Sequence, residues 1–207
     1  MERVLDTYKK PYNPDYPVIC MDESPKQLIE EIASIPIKVG KEKKVDYEYI
    51  RRGTANIFIA NEPLTGKRYI KVTERKTKKD WAIFMKEIAE NYYPEAKQIT
   101  LVMDNYATHS ASSFYETYSP EEAKKLMDSF NFVNTPKHGS WLNMAEIELH
   151  VLNGQCLNRH ISTIEELIKE TDAWQNARNN KNKKINWHFT NDDARIKLKS
   201  LYPTYSN

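Results

Sequence analysis

With 207 residues, 40% of them hydrophobic, the chain is long enough for one large domain with an ordinary core. Lys+Arg 31 against Asp+Glu 29 leaves a formal charge of only +2, so the whole-chain balance does not mark a nucleic-acid binder. Two cysteines exclude a disulfide framework, and no apolar run reaches membrane-span length or resembles a signal peptide, so a soluble, cytoplasmic protein is expected.

Met1–Tyr16 is polar and holds Pro11 and Pro14, with Pro17 immediately after, and it reads as an extended linker arm outside the core. Val18–Met21 then runs apolar into Asp22-Glu23 before Ser24-Pro25, the pattern of a short buried strand that ends in an acid. Val45–Ile50, Ala55–Ala60 and Tyr69–Val72 follow, separated by the turn signals Arg52-Gly53 and Glu62–Gly66. Three such segments with short connections predict an antiparallel meander. The run from Lys67 to Lys79 carries seven cations and one acid, a basic patch that includes Arg75, Lys76, Lys78 and Lys79; Arg178–Lys184 is a second.

Thr77 is a good cap for a helix with Trp81, Phe84, Met85 and Ile88 on one face, closed by Tyr92-Tyr93-Pro94. Ile99–Met103 is another short apolar run, and it too ends in an acid, Asp104. Ser119-Pro-Glu-Glu122 is a capping box opening a helix to about Phe130. Phe130–Asn134 reads as a further strand. The stretch Thr135–Val151, TPKHGSWLNMAEIELHV, begins as a tight basic loop and becomes a helix from Leu142. Leu142, Ala145, Leu149 and Leu152 form one apolar row containing Glu146, while Met144, Ile147 and Val151 form a second containing Glu148. The helix therefore reads as buried nearly all round, and periodicity leaves both glutamates open as the functional one. Helices from Thr163 to about Asn179 and from about Asn191 to Tyr202 complete the chain. Cys156 and His160 stand one helical turn apart, but no second pair sits at zinc-finger spacing.

Asp22 and Asp104 end strands and Glu146 follows a basic loop. Strand ends can bring distant carboxylates together, and a cluster of hard oxygen ligands suits Mg²⁺ or Mn²⁺. Two such ions can activate water or a 3′-hydroxyl in phosphodiester chemistry, which needs acids rather than a nucleophilic Ser or Cys.

VICMDES, LVMDNYATH and TPKHGSWLNMAEIELHVL resemble the three acidic motifs of the DDE transposases of bacterial insertion sequences. The pattern is most similar to the insertion-sequence-630 family, a relative of the mariner elements. The resemblance extends from about Val4 to Pro203 and includes RRGTANIFIANEPLTG and INWHFTNDDARIKLKSLYP. It implies a ribonuclease-H-like α/β fold over residues 17–207, with a mixed five-stranded sheet and helices on both faces. It also implies Mg²⁺-dependent DNA strand cleavage and strand transfer, in which Mn²⁺ can substitute. Asp22, Asp104 and Glu146 become the metal ligands, Glu146 because it occupies the glutamate of the Leu-Asn-x-x-Glu pattern; Glu148 becomes a bystander. Glu23, Asn105, His109, Lys137 and His138 fall in the same motifs as residues that support the acids or touch DNA. The implied partners are double-stranded DNA, as transposon ends and TA target, and a second copy of the chain in a homodimer on DNA. The implied location is prokaryotic and nucleoid-associated. Helix-turn-helix modules of the kind that precede this domain in full-length relatives are not expected within the sequence. A host nuclease of the same fold and a catalytically silent DNA-binding or regulatory remnant are the alternatives.

Overall fold

The computed structural model describes residues 1–32, 49–105 and 110–202. The chain builds a five-stranded mixed sheet in the order β3-β2-β1-β4-β5, from β1 (Val18–Glu31), β2 (Tyr49–Glu62), β3 (Lys67–Thr73), β4 (Ile99–Met103) and β5 (Phe130–Asn134). β1, β2 and β3 form antiparallel pairs, and β4 and β5 run parallel to β1. Side chains alternate across the sheet, so its two faces bury different residues. Ile19, Met21, Phe58 and Leu101 pack under α2 (Lys78–Glu87), α3 (Ala111–Thr117) and α4 (Pro120–Ser129). Cys20, Ile57, Ile59 and Val102 pack under α1 (Glu2–Tyr8), α5 (Met144–Leu152), α6 (Ile164–Asn180) and α7 (Asn191–Lys197).

Several helix starts follow the sequence signals. Thr77 and Asp80 close a reciprocal capping box on α2; Ser119 caps α4 with Pro120 behind it; Thr163 and Thr190 cap α6 and α7. The last helix is shorter than expected, ending at Lys197 before a 3₁₀ turn at Lys199–Leu201. α3 has no counterpart in the sequence reading.

The first strand does not stop at Ser24-Pro25. It runs on to Glu31 paired with β2, whereas β4 accompanies it only from Val18 to Cys20. Beyond Asp22 the strand is therefore an edge on that side, a setting in which proline is tolerated. Nor is Arg52-Gly53 a turn. Gly53 lies inside β2 opposite Leu28, at φ 118°, where the register shifts between Leu28 and Ile29. That shift is a β-bulge, and only glycine adopts this backbone conformation without strain. Ala55–Ala60 thus belongs to the same strand as Tyr49-Ile50; the rest of the expected Val45–Ile50 strand lies outside the described residues.

The amino-terminal arm is also corrected. Residues 2–8 are helical, with Val4 and Leu5 fully buried against the α5 face of the sheet. The Tyr8 hydroxyl donates to the Leu142 carbonyl at 2.7 Å, so this helix braces the chain immediately before α5.

Candidate carboxylate site

Three consecutive pairs, Val18 with Thr100 through Cys20 with Val102, set the parallel register of β1 and β4 at an offset of 82. Asp22 and Asp104 keep that offset, two residues past the last β1–β4 pair: Asp22 still within β1 opposite Ile59 of β2, and Asp104 just beyond the end of β4. By alternation both fall on the face of Cys20 and Val102, the face that α5 covers. Glu146 occupies the first turn of α5 and is half-buried. Each acid reaches this end of the sheet from a different element.

The charges meet at Asp22. Burial is the main cause pushing its carboxyl up to about 7, and the neighbouring charges of Glu23, Asp104 and Glu146 push the same way, against a 2.9 Å hydrogen bond from the Glu23 amide to Oδ1. As the side chains lie, no group of three or more His, Cys, Asp or Glu among the described residues is gathered closely enough to hold a metal ion. The donor set nevertheless fits a hard divalent cation. All three candidate donors are carboxylate oxygens, and a bound ion would reverse the penalty that burial and like charge impose on ionised Asp22.

Asn143 is the asparagine of the Leu-Asn-x-x-Glu pattern, where only the glutamate was given a role, and it is fully buried at the centre of this arrangement. Its Oδ1 accepts from the Ala145 amide at 3.1 Å, capping α5, while its Nδ2 donates to the Met21 carbonyl at 2.8 Å and lies 3.5 Å from Asp22 Oδ2. An asparagine immediately before a helical apolar row is a capping signal, and the sequence carries it. The bond across to β1 has no such signal, because it depends on tertiary packing.

α5 is not buried all round. Met144, Ala145, Glu148 and Leu152 face the core, whereas Ile147 and His150 are exposed. Glu148, the other acid on this helix, is fully buried on the side away from Asp22. Its carboxylate accepts from Arg68 at 2.5 and 2.7 Å and from Arg178 at 3.0 and 3.2 Å. The guanidinium of Arg68 also donates to the carbonyls of Gly66 and Lys183. The helix is therefore tied to β3 and α6 through Glu148.

The remaining expected residues surround the acids unevenly. Glu23 is paired with Lys76 at 2.8 Å, which brings one member of the basic run beside Asp22. Asn105 is exposed and accepts from Asn134 Nδ2 at 3.3 Å, joining the ends of β4 and β5. His109 lies outside the described residues. Lys137 and His138 are exposed on a turn closed by Gly139 N to Pro136 O at 2.9 Å, with His138 at φ 61°. A Cβ on Gly139 would sit 2.6 Å from Pro136 Cγ, so the turn leaves room only for glycine there. In the basic run, Lys78 pairs with Glu116 at 2.5 Å, whereas Arg75 and Lys79 are exposed.

One acid thus lies on the central strand, another just past the end of its parallel neighbour, and a third on the helix that covers them. The chain belongs to the DDE superfamily endonucleases, whose family model matches residues 17–168. Its fold is the ribonuclease-H-like fold of the mariner Mos1 transposase structures. The Mos1 mariner paired end complex with Mn is 15% identical with a TM-score of 0.58, over 85% of this chain and 52% of that one. For the Mos1 strand transfer complex the figures are 12%, 0.60, 88% and 53%, and for the Mos1 paired end complex with Mg 14%, 0.52, 87% and 54%. The chain thus spans about half the length of these structural neighbours. A search of curated proteins found no match. No helix among the described residues is long and apolar enough to cross a membrane.

Proposed function

We propose that this chain is the catalytic domain of a DNA transposase of the insertion-sequence-630 type, cleaving DNA strands and joining them to target DNA with the help of Mg²⁺ or Mn²⁺. The observation that carries the reading is the shared register of Asp22 and Asp104 beneath α5, with the charges of Asp104 and Glu146 both felt at Asp22. Asp22, Asp104 and Glu146 would hold the metal. When bound, a pair of divalent ions supplies an activated water or 3′-hydroxyl and stabilises the leaving oxygen. The chain's own contribution is to fix three carboxylates on two strands and a braced helix, and to present Lys137, His138 and the basic run to phosphates. The Mos1 neighbours include paired end complexes with Mn and with Mg and a strand transfer complex, which supports action on DNA ends; a homodimer on DNA is the working unit that this reading takes.

Nicking of supercoiled plasmid tests the reading. Activity in Mn²⁺ or Mg²⁺ that disappears in EDTA and in Asp22→Asn, Asp104→Asn and Glu146→Gln is expected. A well-folded wild-type chain that binds DNA but never nicks it would favour the catalytically silent alternative.

A further inference from the structure

Asn143 sits between two of the three acids and touches the backbone that carries each of them. Its Oδ1 holds the Ala145 amide, one residue before Glu146; its Nδ2 holds the Met21 carbonyl, one residue before Asp22, at 2.8 Å, and approaches Asp22 Oδ2 at 3.5 Å. The side chain is fully buried, and its amide donates and accepts in fixed directions. An N-cap alone needs only the acceptor, and serine, threonine or aspartate supply that equally well. The donor half of the amide has a separate use: it ties the start of α5 to the central strand at Met21, just past the last β1–β4 pair and next to Asp22. Oδ1 of Asp22 is held independently by the Glu23 amide at 2.9 Å, so the contact from Asn143 falls on the second carboxylate oxygen and limits its rotation.

Resting on the metal-site reading above, we infer that Asn143 is a positioning residue that sets Glu146 and Asp22 at the spacing a divalent cation requires, with its Nδ2 group as the operative part. Groups that orient metal ligands without touching the metal typically change affinity or activity about 10–100-fold when removed. Asn143→Ser retains the helix cap and loses the reach to Met21; Asn143→Ala loses both.

The test compares Mn²⁺ binding by isothermal titration calorimetry, thermal unfolding in EDTA, and duplex DNA affinity in the wild type, Asn143→Ser, Asn143→Ala and Asp22→Asn chains. The expected result is that Asn143→Ser unfolds close to the wild-type temperature and binds duplex DNA as the wild type does, yet loses Mn²⁺ affinity by about 10-fold or more. Combining it with Asp22→Asn should then add little further loss, because both act on one site. If Asp22→Asn weakens Mn²⁺ binding and Asn143→Ser does not, Asn143 is only a helix cap and the inference is overturned. If Asp22→Asn itself leaves Mn²⁺ binding unchanged, the metal-site reading fails and takes the inference with it.

Discussion

Arg68 and Glu148 meet through two parallel hydrogen bonds, Nε to Oε2 at 2.5 Å and Nη2 to Oε1 at 2.7 Å, with both side chains closed to solvent. This pair separates the two glutamates of α5. Two positions along a helix turn a side chain by roughly 200°, so a helix that aims Glu148 at Arg68 must aim Glu146 elsewhere, toward Asp22. Glu148 is therefore no bystander to the fold. Together with Arg178 it forms a buried ionic link among β3, α5 and α6 that fixes the helix carrying Glu146.

Removing one partner of a buried ion pair leaves the other charge uncompensated, at a cost of about 3–5 kcal/mol. Glu148→Gln should lower the unfolding free energy toward that range, while the folded fraction continues to nick plasmid DNA in Mn²⁺. Glu146→Gln should do the opposite, abolishing nicking with little change in stability. Urea denaturation beside a nicking assay distinguishes the two; loss of nicking in well-folded Glu148→Gln together with retention in Glu146→Gln would reverse the assignment.

The same pair sets an acid limit on stability. Burial would raise the Glu148 pKa, but hydrogen bonds from Arg68 and then Arg178 outweigh it and hold the carboxyl below its ordinary 4.5. A folded-state value below the unfolded one stabilises the ionised chain. That contribution is complete above pH 4.5 and is lost as pH falls through the lowered folded value. In Glu148→Gln this component of the acid limb should vanish, so stability measured from pH 7 to pH 3 should fall less steeply than in the wild type.

Asp22 presents the converse case, since burial and neighbouring acids oppose its ionisation. Without metal at pH 8, Asp22→Asn should stabilise the domain by on the order of 1–2 kcal/mol, because a disfavoured buried charge is removed. Adding Mn²⁺ should raise the unfolding temperature of the wild type and not of the variant. Differential scanning calorimetry with EDTA and with Mn²⁺ checks both signs; destabilisation in EDTA would contradict the crowding of acids around Asp22.

Within the basic run, ion pairing decides which cations can serve DNA. Lys76 and Lys78 are engaged with Glu23 and Glu116, whereas Arg75 and Lys79 are exposed. Replacing Arg75 and Lys79 by Ala should weaken binding about equally for unrelated duplexes and reduce the salt slope by roughly 0.9 for each phosphate no longer neutralised. Fluorescence anisotropy over a salt series on two duplexes measures this. A strong preference for one duplex would show that the domain reads sequence by itself.

Local signals carry much of the fold in the sequence. Thr77, Thr163 and Thr190 mark helix starts because a capping hydroxyl acts on amides two or three residues away. The apolar runs ending at Asp22 and Asp104 are legible because a strand buried on both faces leaves no polar alternation. Sequence and structure part where tertiary context overrides a local cue. Pro25 reads as a stop unless β4 is known to end early, and Gly53 reads as a turn unless its bulge is seen. The Val4 and Leu5 pair is too short to announce a helix, and only the core it enters makes it one. At the site, periodicity on α5 leaves Glu146 and Glu148 open and only the Leu-Asn-x-x-Glu resemblance points to Glu146; the role of Glu148 rests on Arg68, 80 positions away, which no local pattern reveals.

The central claim is that Asp22, Asp104 and Glu146 form one divalent-metal site. A crystal of the domain grown with Mn²⁺ and measured at the manganese absorption edge tests it most directly. Anomalous manganese peaks held among these three carboxylates, with Glu148 still on Arg68, are the predicted result. Manganese bound elsewhere, or any of the three acids turned to another face while the other two hold the ion, would contradict it.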